Sequence, residues 1–138
     1  MPHLNTVLLV DDDATTNYLN KLLLTRLNVA DQLLVAENGR QALDTLTHVC
    51  GEATSNCPAL ILLDLNMPVM SGLEFLEAYQ QLAWAPSQTS VIVVLTTSTN
   101  ANELARVQQL PVAAILTKPL TAEKMRLVLQ DCFGYPAV

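Results

Sequence analysis

The sequence predicts an α/β fold: a doubly wound, five-stranded parallel sheet in the order 2-1-3-4-5, with helices on both faces. Two observations predict it. Apolar runs such as Val7–Val10, Leu60–Leu63 and Val91–Leu95 do not alternate with polar residues, the mark of strands buried on both faces. Between these runs the apolar residues recur at helical spacing, so strand and helix alternate strictly along the chain.

Val7–Val10 reads as the first strand. Ala14–Leu27 follows as a helix with Leu19, Leu22, Leu23 and Leu27 expected on its buried face, capped by Asp13 or Thr15. Gln32–Ala36 is a second strand, broken by Asn38-Gly39, and Ala42, Leu43, Leu46 and Val49 make the next helical stripe. Gly51–Pro58 is polar and aperiodic and reads as a loop, after which Leu60–Leu63 is the third strand. Pro68 and Gly72 punctuate a turn before a helix over Leu73–Leu82, with Leu73, Leu76 and Tyr79 or Gln80 on one side. A loop around Pro86 leads to Val91–Leu95, the most β-branched segment. Ala101–Leu110 is a helix ended by Pro111, Ala113–Leu116 a fifth strand, and Thr121–Phe133 a last helix stopped by Gly134.

At 138 residues the chain reads as one domain, with a core of about residues 6–133. Apolar residues make up 51 % and aromatics 4 %, so aliphatic side chains must fill the interior. The net charge of −6 and pI of about 4.6 argue against nucleic-acid binding and favour basic partners and divalent cations. No signal peptide or membrane-length apolar stretch is present, which points to a cytoplasmic protein. The three cysteines, Cys50, Cys57 and Cys132, lack C-x-x-C spacing and do not read as a disulfide framework. Nor does His48 with Cys50 and Cys57 match a zinc pattern; a buried Cys50 at a helix end and a loop Cys57 are expected, with His3 in the terminus.

The polar residues that interrupt the pattern share one address. Asp11 and Asp12 follow the first strand, Asp64 the third, Thr96 the fourth and Lys118 the fifth. Ligands of open parallel sheets bind outside the carboxyl ends of the strands, at the switch point that this order puts between strands one and three. Any one of these residues alone is a helix cap or a turn residue; one polar group per strand end is the informative pattern. Crowded carboxylates call for a cation, and Mg2+ prefers such oxygen ligands with waters and phosphate oxygens. A carboxylate nucleophile, a metal, a lysine and a hydroxyl together make a phosphoryl-transfer site.

The segments Val7-Leu-Leu-Val-Asp-Asp-Asp13, Leu62-Leu-Asp-Leu-Asn-Met-Pro68, Met70-Ser-Gly72, Val94-Leu-Thr-Thr97 and Leu116-Thr-Lys-Pro-Leu120 resemble the response-regulator receiver domains of the CheY-like superfamily, which share the flavodoxin-like strand order. The resemblance implies Asp64 as phosphoacceptor, and Mg2+ (with Mn2+ able to substitute) held by Asp12, Asp64 and the backbone carbonyl of Asn66, with Asp11 partly through water. It also implies Lys118 paired with the phosphoryl group, Thr96 bonding it after transfer, and a cis peptide between Lys118 and Pro119 that aims the lysine inward. Two positions depart from the family. Ile115 replaces the usual switch aromatic, and Ser71 the frequent Asp before the glycine. Asn66 and Ser98 occupy the positions that flank the hydrolytic water.

The function so implied is that of a single-domain response regulator in a two-component phosphorelay. A sensor histidine kinase or histidine phosphotransfer protein would donate to Asp64, and an unidentified target protein would read the fourth helix, fifth strand and fifth helix, a face that also suits a homodimer. No turnover of external substrates is expected. Nothing resembling an output domain follows the last helix, so the signal is expected to leave through protein contact. The alternative is a pseudo-receiver, a protein-interaction module that phosphorylation does not regulate. A dehalogenase-type phosphatase wants an acid where Asn66 stands, and flavin binding wants a phosphate loop where Asp11–Asp13 stand.

Overall fold

The computed structural model describes residues 4–50, 57–82, 90–97 and 100–134. Its elements run β1 (Leu4–Val10), α1 (Ala14–Leu27), β2 (Ala30–Ala36), α2 (Gly39–Cys50), β3 (Leu60–Leu63), α3 (Gly72–Gln80), β4 (Val91–Thr96), α4 (Ala101–Gln108), β5 (Ala114–Thr117) and α5 (Ala122–Phe133). The strands form one sheet, ordered β2-β1-β3-β4-β5, and every neighbouring pair is parallel. The α/β class and the strand order are those the sequence predicts. β1 starts earlier than Val7, because Leu4 and Thr6 already pair with Ala30 and Gln32 of β2.

The apolar runs are buried on both faces, as their composition requires. Residues of one parity, such as Leu8, Val10, Ile61, Leu63, Ile92 and Val94, pack beneath α2, α3 and α4. The others, Val7, Leu9, Leu60, Leu62, Val93 and Leu95, pack against α1 and α5. Each fully buried Leu or Ile contributes about 1.5–3 kcal/mol relative to exposure, which makes the central strands a rigid floor for the loops above them.

Side-chain caps set where the helices start. Asp13 caps α1, accepting from Thr15 N at 3.1 Å and from the Thr16 hydroxyl at 2.8 Å. Ser71 and Glu74 close a capping box on α3, and Asn100 and Thr121 cap α4 and α5. Asn28 and Gly134 end α1 and α5 in the left-handed conformation.

Two expectations fail. Leu19 and Leu22 are 56 % and 44 % exposed; the helix instead buries Asn17, Asn20 and Leu24, with Leu23 and Leu27 packed alongside. The inward face of α1 passes under the acidic end of the sheet, and polar side chains are needed there. The cysteine expectation also fails, since Cys50 and Cys57 are joined by a disulfide. The end of α2 returns to the approach to β3, bringing the two Cα atoms within 4.5 Å, a proximity set by the tertiary path and by no spacing rule. That pairing removes both from any site with His48. Cys132 is a free thiol, pushed up by burial and by the Asp131 charge. The expected loop around Pro86, most of the loop after Cys50, and His3 lie outside the described residues.

Candidate functional site

The carboxyl ends of β1 and β3 are stitched together. Asp64 N donates to Val10 O at 2.9 Å, and Asp11 N donates to Ala36 O at 3.1 Å, so the residue after each strand inherits the sheet's register. Asp11 and Asp64 are both about 95 % buried, whereas Asp12 faces solvent. Behind Asp11, Asn17 of α1 donates from Nδ2 to the Asp11 carbonyl at 2.8 Å, and Asp11 Oδ1 accepts from Asp13 N at 2.9 Å. The backbone at Asp64 is equally confined. A β-carbon on Gly72 would run into the Asp64 carbonyl and come within 2.8 Å of Leu65 Cα, so only glycine lets α3 start this close.

Carboxylate oxygens of Asp11, Asp12 and Asp64 all lie within 4.8 Å of one another. Lys118 crosses from the end of β5 to join them: its Nζ is 2.7 Å from Asp11 Oδ2 and 3.3 Å from Asp64 Oδ1. The lysine backbone is fixed by its own N–H, which donates to Thr96 O at 3.0 Å. Burial, then the neighbouring Asp11 charge, pushes the Asp64 carboxyl above its ordinary value; Lys118 and a backbone bond from Asn66 oppose this without cancelling it. Burial acts to lower the Lys118 ammonium, but its bond to Asp11 and the Asp64 and Asp11 charges prevail and raise it. The donor set suits a hard divalent cation: three carboxylates, no sulfur or imidazole, and an ammonium already drawn into the same charge.

The structure brings Asp11, Asp12, Asp64 and Lys118 into one cluster, with Thr96 buried at the end of the adjacent strand. The Lys118–Pro119 peptide is cis. Asn66 is exposed just beyond Asp64. Ile115 is partly buried against the core under α2, α3 and α4, opposite Val94 in the sheet. Ser98 lies outside the described residues. Sequence reasoning missed Asn17 and Asn20, which with Asp11 and Asp64 line a small cavity beneath the acids, and whose polar character on a leucine-rich helix was the available signal. A shallow pocket of about 190 Å3 opens beside Lys118, between Thr16, Leu19 and Asn20 of α1 and Leu120.

Residues 7–130 match the response regulator receiver domain, nearly the whole chain. The chain belongs to that family. This receiver domain is 30 % identical over 128 residues to a probable chemotaxis protein CheY of Rhizobium etli, covering 93 % of this chain and 92 % of that one. Among solved structures, the bacteriophytochrome response regulator AtBRR superposes with a TM-score of 0.77 at 30 % identity, covering 99 % and 98 % of the two chains. A two-component response regulator from Cytophaga hutchinsonii superposes with a TM-score of 0.84 over 96 % and 99 %; at 23 % identity it speaks for the fold alone. This receiver domain is thus a CheY-like member of the two-component systems, and no helix among its described residues is long and apolar enough to cross a membrane.

Proposed function

We propose that this receiver domain accepts a phosphoryl group on Asp64 in a Mg2+-dependent reaction and signals by switching a protein-interaction surface. The observation that carries the reading is the convergence of Asp11, Asp12 and Asp64 on Lys118 at the sheet's switch point. Asp12, Asp64 and the Asn66 carbonyl would hold Mg2+ (or Mn2+), with Asp11 beside them, and the ion supplies charge neutralisation for phosphoryl oxygens. Asp64 is the nucleophile: a carboxylate oxygen forms the new P–O bond as the P–N bond of a donor phosphohistidine breaks, and the imidazole keeps the electron pair. Lys118 gives its ammonium to a phosphoryl oxygen, a point charge suited to that role.

The new charge and its acceptor oxygens would draw the Thr96 hydroxyl and the following loop inward, shifting an existing equilibrium. Ile115, aliphatic and with few rotamers, takes the place of the aromatic that accompanies this shift in the family. The surface so changed is α4, β5 and α5, where an unidentified target or a second copy would bind. A sensor histidine kinase or histidine phosphotransfer protein in the cytoplasm is the proposed donor. In this reading the whole 138-residue chain works as one receiver unit and is not a turnover enzyme. Asn66 and Ser98 are small polar residues at the positions that flank the hydrolytic water in the family, so the modified state should be moderately short-lived and decay well within hours.

The test is intact mass after incubation with acetyl phosphate, with and without Mg2+, on wild type and Asp64→Asn. One added phosphoryl group that needs both Mg2+ and Asp64 is expected. An unmodified wild type under all donors would favour a pseudo-receiver that binds partners without phosphorylation.

A further inference from the structure

Lys124 is an odd residue for its position. It stands in the first turn of α5, three residues after the N-cap Thr121, whose Oγ1 accepts from Lys124 N at 3.2 Å. At that third position Glu or Gln closes a capping box, and the positive end of the helix dipole favours an acid over an ammonium. Ser71 and Glu74 show the favoured arrangement on α3 of the same chain. Helix formation therefore gives no reason for a lysine here.

Its side chain turns away from the helix. Lys124 Nζ donates to the carbonyl of Thr117 at 2.7 Å and to that of Pro119 at 3.0 Å, with Thr117 Oγ1 at 3.3 Å. The three contacts match the three N–H bonds of an ammonium. The two carbonyls bracket Lys118, whose own ammonium reaches Asp11 and Asp64. Lys118 N on Thr96 O ties the turn to β4 on one side, and Leu120 is the first buried residue after it; Thr117 and Pro119 themselves are exposed, on the sheet's edge strand and just beyond it.

We propose that Lys124 is a positioning residue, its ammonium clamping the carbonyls of Thr117 and Pro119 so that Lys118 is held at the correct reach into the acidic cluster. The clamp deepens the phosphoacceptor reading and rests on it for its functional consequence. Lys124 touches neither the acids nor the phosphoryl group, and acts through the backbone on either side of Lys118. Losing it frees the turn, and an ångström-scale misplacement of a catalytic group costs up to about a hundredfold in rate.

Two measurements on the full chain test this. In metal-free protein, the ε-methylene protons of Lys118 should be inequivalent by NMR in wild type and collapse towards a single averaged signal in Lys124→Met. For the reaction, Lys124→Met should slow phosphorylation by acetyl phosphate about tenfold at saturating Mg2+. In a Lys118→Met background the same change should cost less than about twofold, because the residue acted upon is gone. Unchanged Lys118 signals, or an equal loss of rate in both backgrounds, would overturn the clamp. A wild type that takes up no phosphoryl group would overturn the functional reading instead, with the NMR comparison still deciding the clamp.

Discussion

Lys118 makes its closer contact, 2.7 Å, with Asp11 and not with Asp64, the proposed nucleophile, which it approaches at 3.3 Å. In the proposed reaction its ammonium would share the acids' charge with the metal and then turn towards a phosphoryl oxygen, a competitor before transfer and a partner during it.

Lys118→Met should separate those roles. A divalent ion about 5 Å from an ammonium is repelled by more than about 1 kcal/mol even at the dielectric constant of water. Removing the ammonium should tighten Mg2+ binding about tenfold, measured by titration calorimetry, while phosphorylation by acetyl phosphate slows at every Mg2+ concentration. Weaker Mg2+ binding in the variant would mean that the lysine organises the acids more than it opposes the ion.

Asp64→Asn should stabilise the metal-free protein. Burial and Asp11 raise the Asp64 carboxyl above its ordinary value, so at neutral pH its ionised form is disfavoured more in the folded chain than in the unfolded one. For an acid raised on folding, the stabilisation is full below the unfolded value, near about 3.9, and is lost as pH rises through the folded value. The variant should melt a few degrees above wild type at pH 7 without metal, and the gap should close towards pH 3.5. Mg2+ should raise wild type more than the variant. Equal melting curves at pH 7 would show that Lys118 alone offsets the cost.

The strands and the acidic cluster were legible because they rest on local signals, and the order 2-1-3-4-5 followed from the doubly wound arrangement that five such strands suit. Val7–Val10, Leu60–Leu63 and Val91–Leu95 are too apolar for anything but a buried parallel sheet, and the first polar residue after each lands at the carboxyl edge. The inward face of α1 was misread for the same reason: apolar periodicity favours Leu19 and Leu22, whereas Asn17 is held inside by its bond to the Asp11 carbonyl. The Cys50–Cys57 disulfide and the Lys124 bonds to Thr117 and Pro119 depend on how a helix returns to a strand end, and no periodicity encodes either.

The disulfide should support stability without touching the chemistry. It closes a short loop, with a sequence separation of 7, for which chain entropy gives about 2.5 kcal/mol. Cys57 lies before β3 and Asp64 after it, at opposite ends of a fully buried strand. Cys50→Ala combined with Cys57→Ala should lower the unfolding free energy in urea by about 2 kcal/mol. The phosphorylation rate should match wild type at temperatures where both are folded. A fall in rate without loss of folded protein would reveal coupling along β3.

Val69 offers the opposite experiment, a substitution that should add stability. It sits at φ 68° between Pro68 and Met70, in the left-handed region that a β-branched side chain enters at a cost of about 1–2 kcal/mol or more. Its side chain is 81 % exposed, so little burial compensates for that conformation. The turn cannot relax easily: Met70 O accepts from Gly39 N at 2.9 Å, and Gly72 N donates to Leu65 O at 2.9 Å, tying both flanks to the core. Asn enters the left-handed region more readily and loses less backbone entropy than Gly. Val69→Asn should therefore raise the urea midpoint by the equivalent of about 1 kcal/mol at an unchanged slope. An unchanged or lower midpoint would show that the turn does not carry the cost of a left-handed valine.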